Sequence, residues 1–308
     1  MKCLIVGCGY VGLPLGTELV RQGQEVFGLR RNAASKNELD AAGIHPLVGD
    51  VTKPETLAKL PREYDWVVNC VAAGGSAENY RQIYLEGNRN LVSWLADSPP
   101  KKFVYTSSTS VYGQNDGSLV TENSPAEPDS ETAKVLVETE KMLLADCGLR
   151  GRSPHQRFPA VILRAAGIYG PERGHWFKQF LKNKARIEGD GSRFLNMIHR
   201  DDVAGCIIAA LKSGRAGEIY NAADNEPVTQ LRFFEWLAAE LKRPLPPKVP
   251  ADAEIRGKRG VTNKRVSNDK LRVELKYEFQ FPDFRTGCGA EILRLKRAGE
   301  MHIAPNTQ

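Results

Sequence analysis

The stretch "CLIVGCGYVG" (3–12) constrains this chain more than any other. An apolar run enters three glycines spaced G-x-G-x-x-G, at Gly7, Gly9 and Gly12, and a helix-compatible segment follows. This is the pattern of a buried strand, a tight turn and a helix start. Gly7 permits the turn, Gly9 lets the backbone approach a pyrophosphate, and Gly12 allows close helix–sheet packing. Backbone N–H groups at the helix start, around Tyr10 and Val11, then face phosphate charge. The expectation is a dinucleotide site at the head of a βαβ unit.

The rest of the first half keeps that rhythm. Apolar runs at 24–29, 44–50, 64–73, 101–108 and 159–166 read as strands, with helices over 11–22, up to about residue 96, and over 131–147. Strands separated by helices at this spacing predict an α/β fold with a doubly wound parallel (Rossmann) sheet, and all-apolar strands fit burial on both faces. After residue 170 the rhythm breaks; a helix over 200–213 and a strand over 218–223 rejoin the sheet. The expected division is a dinucleotide-binding domain over 1–170, with 198–223 returning to it. A smaller C-terminal substrate lobe would comprise 171–197 and 224–308.

Strand ends supply the cofactor candidates. The second strand ends in "GLRRN", where Arg30 and Arg31 stand in place of the acid that commonly binds an NAD ribose. Two guanidinium groups suit a 2′-phosphate, so NADP is expected, with NAD as the other reading. Asp50 and Val51 close the third strand, and Asp50 is placed to accept from an adenine amino group. Val71, Ala72 and Ala73 at the end of the fourth strand and Ser107 in the fifth complete the expected binding set.

Four segments in order, "YTSSTSVYG" (105–113), "LRAAGIYGP" (163–171), "GDGSRFLNMIHRDDVAG" (189–205) and "IYNAADNEPVT" (219–229), resemble landmarks of the extended short-chain dehydrogenase/reductase family, the NAD-dependent epimerase/dehydratase-like group. The resemblance implies an active-site hydroxyl at Ser108 and a lysine at Lys134 that holds the nicotinamide ribose. The family tyrosine four residues before that lysine falls on Ser130, so the likeness is to an atypical branch lacking the tyrosine. An aliphatic hydroxyl is far less acidic than a phenol of pKa ~10. In "YLEGNRNL" (84–91) the family's asparagine becomes Tyr84, read either as a relocated acid or as a filler of the space. The family's Phe-Asn beside the nicotinamide becomes Ala166 and Gly167. Its phosphate-holding arginine falls on Leu195, with Arg193 read as facing away. Relatives of this kind often pair through first-lobe helices, so a homodimer is implied by analogy.

Composition narrows the rest. No apolar run approaches the ~18 residues of a membrane span, and the N-terminus reads as a strand rather than a secretory leader. Six scattered cysteines without a CxxC pair argue for reduced thiols and a cytoplasmic protein. The segment from Lys242 to Lys276 carries eleven Lys or Arg against four Asp or Glu, read as a solvated face, with contact to a phosphate-bearing ligand as the other reading; no nucleic-acid partner is expected. His175 and His199 have no partner at metal spacing, so no metal site is expected. Two functions stay open. One is an NADP(H)-dependent oxidoreductase or epimerase-like enzyme acting on a sugar-like or other hydroxyl/carbonyl small molecule, with Ser108, Lys134 and Tyr84 at the reacting centre. The other is a non-catalytic NADP-binding sensor of the same fold.

Overall fold

In a computed structural model, residues 1–145, 158–250 and 262–300 are described. Cys147, one of the six cysteines, lies outside them, as does the part of the basic run between 251 and 261.

Seven strands form one sheet: β1 (Lys2–Val6), β2 (Glu25–Arg30), β3 (His45–Val48), β4 (Trp66–Asn69), β5 (Lys102–Ser108), β6 (Ala160–Ala165) and β7 (Ile219–Ala222). Their order is β7-β6-β5-β4-β1-β2-β3, and every pairing is parallel. Alternate residues of β1 enter different cores, as the two-residue period of a strand requires. Cys3 and Ile5 pack with Leu15, Leu19, Val104 and Ile207 on one face. Leu4 and Val6 pack with Leu91, Phe103, Tyr105 and Ile162 on the other. The strand order reverses between β1 and β4, which opens a crevice at the carboxyl ends of the sheet.

Four longer helical runs cover the sheet. They are α1 (Gly12–Arg21), α2 (Ala77–Tyr80, the π-helical Arg81–Glu86, then Gly87–Trp94), α3 (Glu131–Leu144) and α4 (Arg200–Ser213). The fourth strand is shorter than the run 64–73 predicts. Asn69 ends it by turning its side chain onto the Val71 N–H and onto Asn88 of α2, which frees Cys70–Ala73 to leave the sheet as a loop.

The remaining segments build an aromatic cluster over the carboxyl edge, centred on Phe177, Phe180, Phe233, Phe234 and Phe284. Short pairings tie it down, Gly167–Tyr169 with Met197–His199 and Phe194–Leu195 with Val228–Thr229 among them. Asp202, buried in the first turn of α4, accepts from Tyr277 Oη at 2.7 Å and from the backbone N–H groups of Gln280 and Phe281. That carboxylate fixes the entry to the last helix, Phe284–Arg297. Among the described residues no helix is long and apolar enough to cross a membrane.

Candidate functional site

The crevice opens into a cleft of about 1200 Å³ that runs from the glycine turn to the aromatic cluster. Gly7 has φ +81°, and a Cβ there would lie 2.7 Å from the Val71 nitrogen, so the turn presses against the loop after β4. Gly12 is equally close-packed: a Cβ would meet the Gly7 carbonyl at 2.8 Å. Gly9 differs. A Cβ built there meets nothing nearer than the Gly7 carbonyl at 3.9 Å, yet the residue lines the cleft. Its bareness is space on the ligand side, which is what a pyrophosphate at a helix start requires.

Tyr10 and Val11 also line the cleft. The Tyr10 hydroxyl donates to the Pro171 carbonyl at 2.9 Å, and Arg173 lies 4.4 Å from its ring centroid, so the glycine turn is bridged to the segment 171–173. Burial pushes that phenol up to about 12. At the far end Arg30, Arg31, Asn32 and Ser35 line the wall after β2. Arg30 is already engaged: its Nε donates to the Cys8 carbonyl and its guanidinium pairs with Glu38 at 2.5 Å. Arg31 is exposed. Asp50 and Val51 line the neighbouring wall, with the Asp50 carboxylate accepting from the Thr52 N–H at 2.9 Å and its hydroxyl at 2.8 Å.

Val71, Ala72 and Ala73 form the wall after β4. Tyr84 comes from the π-helical turn of α2, and its hydroxyl accepts the Ala73 N–H at 3.0 Å while its ring meets Tyr80 edge-on. A π-turn inserts one residue into a helix and is common at functional sites; here it brings a phenol onto the cleft wall. Ser108 lines the cleft and caps the 3₁₀ turn Thr109–Val111, accepting from the Ser110 N–H at 3.2 Å. Ser107 reaches the wall too, but its hydroxyl donates inward to Glu140 at 2.5 Å.

Two expectations are corrected. Lys134 does not line this cleft: it is more than half exposed and pairs with Glu131 at 2.7 Å on the outer face of α3. Ser130 is the N-cap of that helix, accepting from the Ala133 N–H, a role serine fills well. The cleft-facing residues of α3 are instead Thr132 and Leu136. The helix rotation is set from behind, where the buried Glu140 carboxylate takes Arg164 Nη2 at 2.7 Å and the Ser107 hydroxyl. At ~100° per residue, facing Glu140 and Leu136 inward turns Lys134 outward. Arg193 is the second correction. It lines the cleft beside Leu195, because residues two apart in extended chain share a face.

Sequence reasoning missed several cleft residues, among them Arg173, His175, Trp176, Thr262 and Lys264. Lys264 sits in the basic run read as solvated, but it is only 4% exposed. Its ammonium donates to the Tyr112 carbonyl at 2.9 Å and the Thr262 hydroxyl at 2.7 Å, and burial lowers its pKa to about 8.

The model of the NAD dependent epimerase/dehydratase family matches residues 3–223. The chain belongs to that family. It is 30% identical to Protein YeeZ of Escherichia coli over 290 residues, covering 92% of this chain and 97% of that one. Among solved structures, a putative NAD-dependent epimerase/dehydratase from Methylobacillus flagellatus is 30% identical, with TM-score 0.74 over 96% of this chain and 98% of that chain. DesIV, the dTDP-glucose 4,6-dehydratase of Streptomyces venezuelae with NAD and TYD bound, has TM-score 0.79 over 96% of this chain and 97% of that chain. At 23% identity it shows the shared fold alone.

Proposed function

We propose that this family member is a nicotinamide-dependent oxidoreductase of a small hydroxyl or carbonyl compound, sugar-like in kind. The observation that carries the reading is Gly9, bare toward the cleft, with no protein atom nearer than 3.9 Å to a Cβ built there, at the mouth of a space that continues to Ser108. Gly7, Tyr10 and Val11 would hold the pyrophosphate; Asp50 and the walls after β2 would hold the adenosine. Val71–Ala73, kept in place by Tyr84, would flank the nicotinamide ribose in place of Lys134. When bound, the nicotinamide supplies or accepts a hydride. The Ser108 hydroxyl would hydrogen-bond the substrate oxygen, and Arg173, Trp176 and Arg193 would enclose the rest of the molecule.

The cleft beyond Ser108 supports the enzyme over a protein that only holds a nucleotide, since a sensor has no use for substrate room. The sugar-like substrate is supported by the dehydratase names among the relatives. Cofactor choice rests on the wall after β2. Arginines and no carboxylate line it, which favours a 2′-phosphate, whereas solved neighbours such as DesIV carry NAD. Because Glu38 occupies Arg30, the preference for NADP would rest on Arg31.

The test is to supply each reduced nicotinamide with a panel of sugar-derived and simple carbonyl compounds and follow loss of the reduced-nicotinamide absorbance. Oxidation with at least one compound is expected, and Ser108→Ala should slow it ~10–100-fold. Binding without oxidation on any compound would favour the sensor.

A further inference from the structure

We propose that Lys264 is the proton-exchanging residue of the cleft, giving a proton from Nζ to the substrate oxygen during carbonyl reduction and recovering one in the reverse direction. The proposal rests on the oxidoreductase reading above and names the acid/base group that reading lacks.

Position is the first argument. Lys264 is buried, lines the cleft, and is held at both ends. Its carbonyl accepts from Asn196 Nδ2 at 2.9 Å, and the other side of that amide takes the Val266 N–H at 2.8 Å. Its ammonium rests on the Tyr112 carbonyl, which directly follows the turn that Ser108 caps. Tyr112 is itself immobilised, taking Arg164 Nη1 at 2.9 Å and donating to Asn221 at 2.8 Å. The amine therefore stands against the same short turn as the hydroxyl assigned to the substrate oxygen.

Charge is the second. Nζ has two neutral oxygen partners and forms no ion pair among the described residues. Charges on the segments it touches are directed elsewhere: Arg164, bonded to the Tyr112 hydroxyl, pairs with Glu140, and Arg265 lies over the Phe194 ring. Burial alone acts on its titration, bringing it to about 8. A group that exchanges its proton near working pH is the efficient kind of general acid. Three alternatives are spent otherwise, since Ser130 caps a helix, Lys134 faces out, and the high-pKa Tyr10 phenol is committed to Pro171.

The step balances. The substrate carbon gains a hydride from the reduced nicotinamide, which leaves oxidised; the C=O π pair moves onto oxygen; that oxygen bonds the proton released by Nζ; and the amine is reprotonated from water.

Two measurements on the full chain test it. Acetic anhydride labelling across pH, mapped by peptide mass spectrometry, should give Lys264 a midpoint near 8, against ~10.4 for surface lysines. For a carbonyl compound that the protein reduces, kcat should fall as pH rises through about 8. Lys264→Arg should flatten that limb and lower kcat ~100-fold or more with KM changed less than ~3-fold. A labelling midpoint near ~10 overturns the proposal even if the variant fails to fold. So does a Lys264→Arg enzyme that keeps the limb or stays within ~3-fold of wild-type kcat. If wild-type protein reduces nothing, the oxidoreductase reading fails and proton delivery with it. Turnover with an unperturbed labelling midpoint removes the lysine alone.

Discussion

Gly7 and Gly9 stand two residues apart in one motif and carry opposite constraints. At Gly7, φ +81° and the Val71 nitrogen 2.7 Å from a built Cβ make any side chain a fault of the fold. Gly7→Ala should lower unfolding free energy by ~1–3 kcal/mol, read by chemical denaturation. At Gly9 nothing in the protein opposes a side chain, so Gly9→Val should melt within a few degrees of wild type. It should nonetheless lose ~100-fold or more in nucleotide affinity, because its methyls fill the pyrophosphate's space. Both glycines were legible in the sequence because they stand at fixed spacing in one short motif between a strand and a helix. Lys134 was not. Its distance from the cleft is decided by Arg164 gripping Glu140, a contact no spacing along α3 reveals. Lys134→Ala should change nucleotide affinity by less than ~2-fold in calorimetry, as expected of a screened surface pair.

At the scale of elements, the Glu140–Arg164 pair joins α3 to β6, and Tyr112 and Asn221 extend the network to β7. The Glu140 and Arg164 side chains are 3% and 5% exposed. Removing one partner strands a buried charge, so Glu140→Ala should destabilise the fold by ~3–5 kcal/mol, whereas Glu140→Leu with Arg164→Met should recover most of that loss. Denaturation of the two variants checks the difference. The strands and helices themselves were readable from apolar runs and their spacing. The π-turn Arg81–Glu86 was not, since one inserted residue leaves the amphipathic pattern almost unchanged. Through it Tyr84 reaches the Ala73 N–H, and Tyr84→Phe should weaken nucleotide binding ~3–10-fold, the worth of one hydrogen bond.

Across the whole molecule, the cleft is where the sheet edge meets a cluster built from residues far apart in sequence. That assembly explains why Arg173, Trp176, Thr262 and Lys264 escaped sequence reasoning. Lys264 belongs to a run whose composition signals a solvated face, and the pairing of Arg265–Val266 with Leu119–Val120, with the Asn196 amide on the Lys264 carbonyl, draws it inside. Its burial has a consequence for stability. The folded-state pKa lies near 8, below the ~10.4 of an unfolded lysine, so the unfolded chain binds more protons between those values. Stability should therefore rise with pH through that window, full penalty applying below about 8, and Lys264→Met should remove this part of the slope. The proposed cofactor preference also belongs to this scale, because Glu38 from the following helix occupies Arg30. Arg31→Ala should erase a preference for NADP while leaving NAD affinity within ~2-fold, the phosphate contact being the only one lost.

Isothermal titration of the purified full chain with NAD, NADH, NADP and NADPH addresses the central claim most directly. Saturable binding of one nucleotide per chain by at least one of the four, abolished in a folded Gly9→Val variant, is the outcome the account predicts. Wild-type protein that takes up none of them, or a Gly9→Val variant that binds as tightly as wild type, would contradict it.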